Sequence, residues 1–235
     1  MSFLEDVRGL TVKDVSFYDA AFWTLHMAGC RDVLIEGIRI ENNERGPNND
    51  GIDPDCCQNV IIRDCILDNC TRGVGIWSRD GGRIHDIMIH HVSGSTRRYR
   101  DRVRQDSEVV VWWGKGEAVF LSATQRAGVD RIPGVIEGVS MDHLNVVCEG
   151  AIMVAGEKES PIRDLSIRDS AFTWKRQGSL PPDCLDEQPS RRGVYPFEVP
   201  MAYIRSGENI AIREGVRYRI DESMRPYIRE TFVVE

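Results

Sequence analysis

The stretches VLIEGIRI (33–40), VIIRDCIL (60–67) and IMIHHVSG (87–94) share one pattern, and their starts are 27 residues apart. In each stretch apolar residues alternate with other residues, and a two-residue turn signal separates the halves. Because strand side chains point alternately to opposite faces, this pattern places the apolar residues on one face. Each unit is therefore predicted to be two short strands joined by a tight bend.

The same pattern also begins at Leu10, Val139, Leu165 and Ile210, with successive starts along the whole chain 23, 27, 27, 52, 26 and 45 residues apart. A single unit cannot bury its apolar face, so neighbouring units must stack. A leucine-rich repeat has a similar period but needs a Leu-rich consensus, whereas these units use Val, Ile, Cys and Met freely. The repeat therefore predicts an all-β, single-stranded parallel β-helix of about eight turns.

The composition excludes several classes of protein. The 235 residues carry a net charge of −7, which disfavours general nucleic-acid binding. Apolar runs are too short for a membrane helix, and no basic-then-apolar signal peptide is visible, so we expect a cytoplasmic protein without membrane contact. Seven cysteines are expected to be reduced, and the register of Cys30, Cys57 and Cys65 predicts core filling.

Metal ions and other cofactors are not expected from the sequence. His91 and His143 take the bend position that Asp14, Asp64, Asp169 and Glu214 hold in other units. This position predicts a polar surface column, so the His90–His91 pair is assigned to that column rather than to a ligand cluster.

The densest polar patch is the segment PNNDGIDPD (47–55). Alignment by unit start places Asp50 beside Trp23, Ile52 beside Leu25, and Asp53 beside His26 on adjacent turns. An aspartate beside an exposed indole is typical of sugar sites, where the ring stacks on the sugar and carboxyl groups act as acid or base. A plain polar turn explains the same composition.

Motifs along most of the chain resemble glycoside hydrolase family 28, the polygalacturonase-like enzymes. The segment NNDGID (48–53) is similar to the family's Asn-Thr-Asp-Gly signature, and the order of the other motifs agrees with the repeat. These motifs are FWTLH (22–26), RGVGI (72–76) followed by RDG (79–81), WWGKGE (112–117), GAI (150–152) and SPIRDL (160–165). The resemblance implies a right-handed, pectin lyase-like parallel β-helix.

The resemblance also implies hydrolysis of O-glycosidic bonds in a pectin-type, uronate-containing carbohydrate, with inversion at the anomeric carbon. It assigns the water-activating base to Asp50, and Asp53 is a second catalytic candidate. The family's Asp-Asp pair, which supplies the general acid, is not found after Asp68, nor are its Gly-His-Gly and Arg-Ile-Lys segments. Asp80 and Glu117 are the replacement acids to consider.

The remaining site candidates are residues expected to contact the sugar: Trp23, His26, Asn48, Trp77, Arg79, Lys115 and Glu117. The WWGKGE segment either lines the cleft or forms a loop pinned by a buried tryptophan. The arginine-rich segment 97–104 either binds uronate carboxylates or is a solvated loop; an RNA-binding patch has little support.

The whole chain, 1–235, is predicted to be one β-helix domain. A Pro-rich surface excursion is expected at 175–200 and a segment covering the last turn at 218–235. The first unit begins at Leu10, and the relatives have more sequence before this point, so we expect an uncapped first turn and self-association through it. Two functions remain open: a glycoside hydrolase, and a catalytically silent carbohydrate-binding or scaffold β-helix.

Overall fold

The computed structural model describes residues 1–43, 46–78, 81–98, 114–178 and 181–235. The strands of these ranges are, in chain order, Ser2–Glu5 (β1), Arg8–Lys13 (β2), Ser16–Tyr18 (β3), Leu25–Ala28 (β4), Arg31–Glu36 (β5), Arg39–Glu41 (β6), Ile52–Asp55 (β7), Gln58–Cys70 (β8), Gly75–Trp77 (β9), Arg83–Thr96 (β10), Val119–Ser122 (β11), Val135–Asp142 (β12), Asn145–Cys148 (β13), Ile152–Ala155 (β14), Ile162–Arg168 (β15), Ala171–Trp174 (β16), Cys184–Asp186 (β17), Val194–Pro196 (β18), Val199–Arg205 (β19), Gly207–Ala211 (β20), Arg217–Ile220 (β21) and Ile228–Val234 (β22). The described residues contain no helix, and hence none that could cross a membrane.

Two long sheets run along the molecule. One has the order β1-β4-β7-β9-β11-β14-β19-β22, and the other the order β2-β5-β8-β10-β12-β15-β20 with β3, β6, β13, β16 and β21 attached. Strands of successive repeats pair in parallel, and Val33, Val60, Ile87, Val139, Leu165 and Ile210 follow one another in register. The predicted parallel β-helix is therefore confirmed.

The bends between the paired strands repeat one backbone conformation. Asp14, Asp64, His91 and His143 all have a positive φ, and each follows the first strand segment of its unit. At Gly37, which takes this position in the second unit, a Cβ atom would lie 2.6 Å from Oδ1 of Asp14. A glycine there avoids both the clash and the left-handed strain.

The core lies inside the coil. Inward-facing side chains such as Leu25, Ile35, Ile52 and Ile62 are fully buried in one continuous apolar cluster. Cys30, Cys57 and Cys65 belong to the same cluster, as the repeat predicted, and all seven cysteines are free thiols. Burial of this face is the main stabilisation of stacked repeats.

A second apolar cluster lies outside the coil, on the sheet that contains β7 and β9. Trp23, Trp77, Phe120, Met153 and Tyr203 are buried in it. The segment 175–200 adds the antiparallel hairpin β17–β18, whose Leu185 packs into this cluster. In segment 218–235, β22 pairs in parallel with β19 and so extends the first sheet.

Candidate active site

The predicted alignment of the polar patch with the preceding turn is confirmed. Leu25 pairs with Ile52 and His26 with Asp53, while the amide of Thr24 donates to the carbonyl of Asp50 at 2.8 Å. Ile52 points into the core and is fully buried. The polar segment therefore leads directly into strand β7, and the repeat determines where its carboxyl groups lie.

Asp50 is fully buried, with two neighbours on the next turn. The hydroxyl of Thr71 donates a short hydrogen bond to Oδ1 of Asp50, and Nη1 of Arg72 lies 3.7 Å from its Oδ2. Burial raises the pKa of Asp50, although the positive charge of Arg72 opposes this. Asp50 is thus part of a closed polar cluster and not an open carboxylate.

Arg72 is the centre of this cluster. Its fully buried guanidinium lies 3.3 Å from Oε2 of Glu117 and 3.9 Å from Oδ2 of Asp186, in addition to Asp50. Its Cζ atom lies 3.9 Å from the ring centre of Phe120, so the cation is also held against an aromatic face. The guanidinium therefore fills the space between three carboxyl groups.

The carboxyl groups around Arg72 outnumber the cations. Lys115 lies 3.4 Å from Asp186 and supplies the second positive charge, and the amide of Gly114 also donates to Asp186 at 2.9 Å. If all groups are ionised, the three carboxylates and the two cations, Arg72 and Lys115, leave one net negative charge in this buried cluster. Burial raises the pKa of Glu117, and the charge of Asp186 adds to the effect, which is the direction expected where negative charge is in excess.

Trp23 and Trp77 do not form an exposed sugar platform. Both indoles are buried, and they stack on each other with ring centres 5.7 Å apart. Nε1 of Trp23 donates to Asn48 at 3.3 Å, and Nε1 of Trp77 donates to Asp53 at 3.0 Å. The expectation of an exposed indole beside Asp50 is wrong, because the outer apolar cluster and the hairpin β17–β18 cover this face.

His26 lies at the surface beyond these buried residues. Its Nε2 lies 3.4 Å from Asp55, its ring lies 4.9 Å from that of Phe3, and its side chain is 16% exposed. Phe3, His26, Asp55 and Arg126 line an open pocket there. Sequence reasoning identified His26 but missed Phe3 and Arg126, which lie far apart in the chain.

Apart from His26 at the surface, the predicted site residues that the structure describes fall into two groups. Asp50, Glu117 and Lys115 meet in the Arg72 cluster, while Asp53, Trp23, Trp77 and Asn48 are bonded or stacked beside it. Arg79 and Asp80 lie outside the described residues, as do Trp112, Trp113 and most of the arginine-rich segment, of which Arg97 and Arg98 are described and buried.

Asp186 belongs to this site and was not found from the sequence. It lies in the Pro-rich excursion, where no repeat relates it to Asp50. The available signal was Arg72, which lies on the turn after the polar patch. An arginine that is buried needs carboxylate partners, so Arg72 could have prompted a search for further acidic residues.

Known proteins are similar to the N-terminal part of the chain, which contains Asp50 and Arg72. Residues 2–97 match the family model of the glycosyl hydrolases family 28. A probable polygalacturonase of Vitis vinifera is 33% identical over 75 residues, which cover 31% of this chain and 15% of that protein. A probable polygalacturonase of Arabidopsis thaliana is 34% identical over 91 residues, which cover 35% of this chain and 20% of that protein.

The chain also aligns with solved structures of other proteins. The polygalacturonase from Erwinia carotovora ssp. carotovora aligns with 97% of this chain and 59% of its own, at 12% identity and a TM-score of 0.43. The Streptococcus pneumoniae surface protein and adhesin PfbA aligns with 99% of this chain and 68% of its own, at 8% identity and a TM-score of 0.44. On the family match and the two plant relatives, the resemblance of this parallel β-helix to the glycosyl hydrolases of family 28 is confirmed.

Proposed function

We propose that the chain is a polygalacturonase-like glycoside hydrolase that acts on O-glycosidic bonds of a pectin-type poly- or oligosaccharide. The observation that carries the proposal is the family match over residues 2–97, which includes Asn48, Asn49 and Asp50. The clustering of Asp50 with Glu117 and Asp186 supports it, because glycoside hydrolysis uses paired carboxyl groups.

In the proposed reaction Asp50 is the base that activates water, and Glu117 is the acid that protonates the leaving oxygen. Burial raises the pKa of both carboxyl groups, so the assignment of Asp50 as base rests on the family resemblance, and Glu117 is the acid because it is the second carboxyl group at Arg72. Inversion needs room for a water and a sugar between the two carboxyl groups, at a separation of roughly 6.5–9.5 Å. Arg72 fills that space, so turnover requires its guanidinium to move aside.

The second candidate function is a catalytically silent carbohydrate-binding β-helix, and Arg72 is the observation that favours it. A fully buried guanidinium between the carboxyl groups excludes the sugar ring and leaves Asp50 inaccessible. In this case the open pocket with Phe3, His26 and Arg126 is the binding place. Phe3 is 53% exposed and offers a face for stacking, and Arg126 offers a cation for a uronate carboxylate.

One experiment separates the two functions. Reducing-sugar release from pectin fragments is measured for the wild type, for Asp50→Asn, and for Asp64→Asn as a control on an exposed bend. Hydrolysis that is retained in the control but lost in Asp50→Asn supports the enzyme. Equal rates of hydrolysis in all three proteins would contradict the role of Asp50 as the base. Absence of turnover together with calorimetric binding of oligogalacturonate, weakened by Arg126→Ala, supports the silent protein.

Two further expectations remain proposals. The seven free thiols support a reducing compartment, which we propose to be the cytoplasm. Self-association through the strands of the first turn is proposed because apolar side chains there, such as Phe3, are exposed. Sedimentation of the wild type and of Phe3→Ser tests the second point, since a monomeric wild type would contradict it.

A further inference from the structure

Two histidines and an aspartate meet on the sheet that contains β10 and β12, beside the bend column to which His91 belongs, so the His90–His91 pair, assigned from the sequence to a polar column, also forms a cluster with Asp142. In the register of these strands His90 pairs directly with Asp142, so the two side chains lie on neighbouring turns of the coil. His91 follows His90 at the bend, where its positive φ turns the chain. The repeat thereby brings together three groups that are far apart in the sequence.

The distances within this cluster are short. Nδ1 of His90 lies 3.0 Å from Nδ1 of His91, and one ligand atom from each of His90, His91 and Asp142 lies within 4.8 Å of the others. Zinc binds imidazole nitrogen and carboxylate oxygen at about 2.0–2.2 Å, which puts two ligand atoms about 3–3.5 Å apart. The two histidine nitrogens already have that spacing, and an oxygen of Asp142 lies within 4.8 Å of a ring nitrogen of each histidine.

A fourth residue holds the cluster in place. Nδ1 of His143 lies 2.7 Å from Oδ1 of Asp142, and the His143 ring stacks on that of His91 at 4.6 Å with an interplanar angle of 8°. Such contacts orient ligands in zinc sites, where a partner beyond the ligands fixes their direction. Two arginines flank the cluster: Arg63, which pairs with His90, is bonded to Glu36 at 2.8 Å, and Arg168 pairs with Asp142 on the following turn.

We propose that His90, His91 and Asp142 bind one Zn²⁺ ion, with water completing the coordination. The ligands come from two successive turns, so the ion links β10 to β12 and stabilises the coil against opening there. Two imidazoles and one carboxylate suit zinc among the common divalent ions, whereas Mg²⁺ and Ca²⁺ prefer oxygen ligands only. The site lies apart from the Arg72 cluster and does not depend on the proposed hydrolysis.

The test is calorimetric titration of the untagged chain with ZnCl₂, in a Cys56→Ser/Cys184→Ser background that removes the two partly exposed thiols. We expect one ion per chain and at least tenfold weaker binding in His90→Gln, His91→Gln and Asp142→Asn. His85→Gln is the matched control, because Nδ1 of His85 lies 2.7 Å from the adjacent Asp86 and His85 is not part of the cluster. Its affinity should stay within twofold of the parent.

Thermal unfolding gives a second measurement. Saturating Zn²⁺ should raise the Tm of the parent and of His85→Gln but not that of Asp142→Asn, since an ion that binds only the folded state stabilises it. His143→Gln should weaken binding less than the three ligand variants do. Absence of zinc binding, equal binding by parent and Asp142→Asn, or equal binding of Mg²⁺ and Zn²⁺ would each overturn the proposal.

Discussion

The indole nitrogen of Trp77 donates a hydrogen bond to Oδ1 of Asp53 across 3.0 Å, and both side chains are fully buried. Two residues that the sequence suggests for substrate binding and catalysis are therefore bonded to each other. Asp50, the predicted base, is likewise paired within the protein, since Nη1 of Arg72 on the next turn lies 3.7 Å from its Oδ2. Polar side chains of this face therefore stabilise one another beneath a cover of aromatic residues.

Removal of the buried cation should destabilise the protein strongly. Arg72→Met leaves Asp50, Glu117 and Asp186 without their shared partner. Removal of one member of a buried ion pair lowers stability by about 3–5 kcal/mol, because the remaining charge stays buried without compensation. Urea unfolding measures the loss. Arg83→Met is the matched control, because Arg83 pairs with Glu137 at the surface and should change stability by at most about 1 kcal/mol. Equal effects of the two substitutions would contradict the structure.

The buried carboxyl groups should make the protein less stable as the pH rises above about 4.5. The folded-state pKa of Glu117 is raised above its usual value of 4.5, so the folded chain keeps a proton that the unfolded chain has released. This contribution is complete below pH 4.5 and is lost as the pH rises through the folded pKa, by at most about 1.4 kcal/mol per pH unit.

Unfolding of the wild type and of Glu117→Gln between pH 4.5 and 7.5 checks this dependence. The fall in stability with pH should be smaller in Glu117→Gln. Glu198→Gln is the control, because Arg229 lowers the pKa of Glu198; its contribution is already nearly complete above pH 4.5, so this substitution should leave the pH dependence in this range almost unchanged. A wild-type curve that rises with pH relative to Glu117→Gln would show that Glu117 is ionised in the folded protein.

The bond between Trp77 and Asp53 should appear as an energetic coupling. Trp77→Phe removes the donor and leaves a buried carboxylate oxygen without it, at a cost of about 1–3 kcal/mol. In a double-mutant cycle with Asp53→Leu, the two effects should differ from additivity by about 0.5–3 kcal/mol. Asp221→Ala, at the surface beyond β21, should be additive with Trp77→Phe; coupling of similar size there would refute the assignment.

Gly94 should not tolerate a side chain. A Cβ atom at this position would lie 1.9 Å from the main-chain oxygen of Leu67 on the preceding turn, where the register of β8 and β10 shifts. Gly94→Ala should therefore lower stability by about 1–3 kcal/mol, because neither backbone can move freely. Gly178→Ala, with open space around the added atom, should be nearly neutral in the same chemical unfolding experiment.

The repeat was predictable because its cause is local. Alternation of apolar residues and turn residues at a spacing of 26 to 27 determines which residues stack, and it placed Leu25 on Ile52 and the cysteines in the core. A register error of one residue would turn every apolar side chain outward, so a periodic sequence admits only one arrangement. The positions of Asp50 and Asp53 on their strand follow from the same rule.

The environment of those carboxyl groups was not predictable, because it depends on residues outside the repeat. Asp186 comes from a segment without periodicity, and Leu185 and Tyr203 complete the cluster that covers Trp77. Strand alternation by itself predicts that Trp23 and Asp50 face solvent. The sequence alone determined the coil and the order of its polar residues, whereas the tertiary structure decided that Arg72 and the hairpin β17–β18 bury them, because burial depends on long-range contacts that no local pattern encodes.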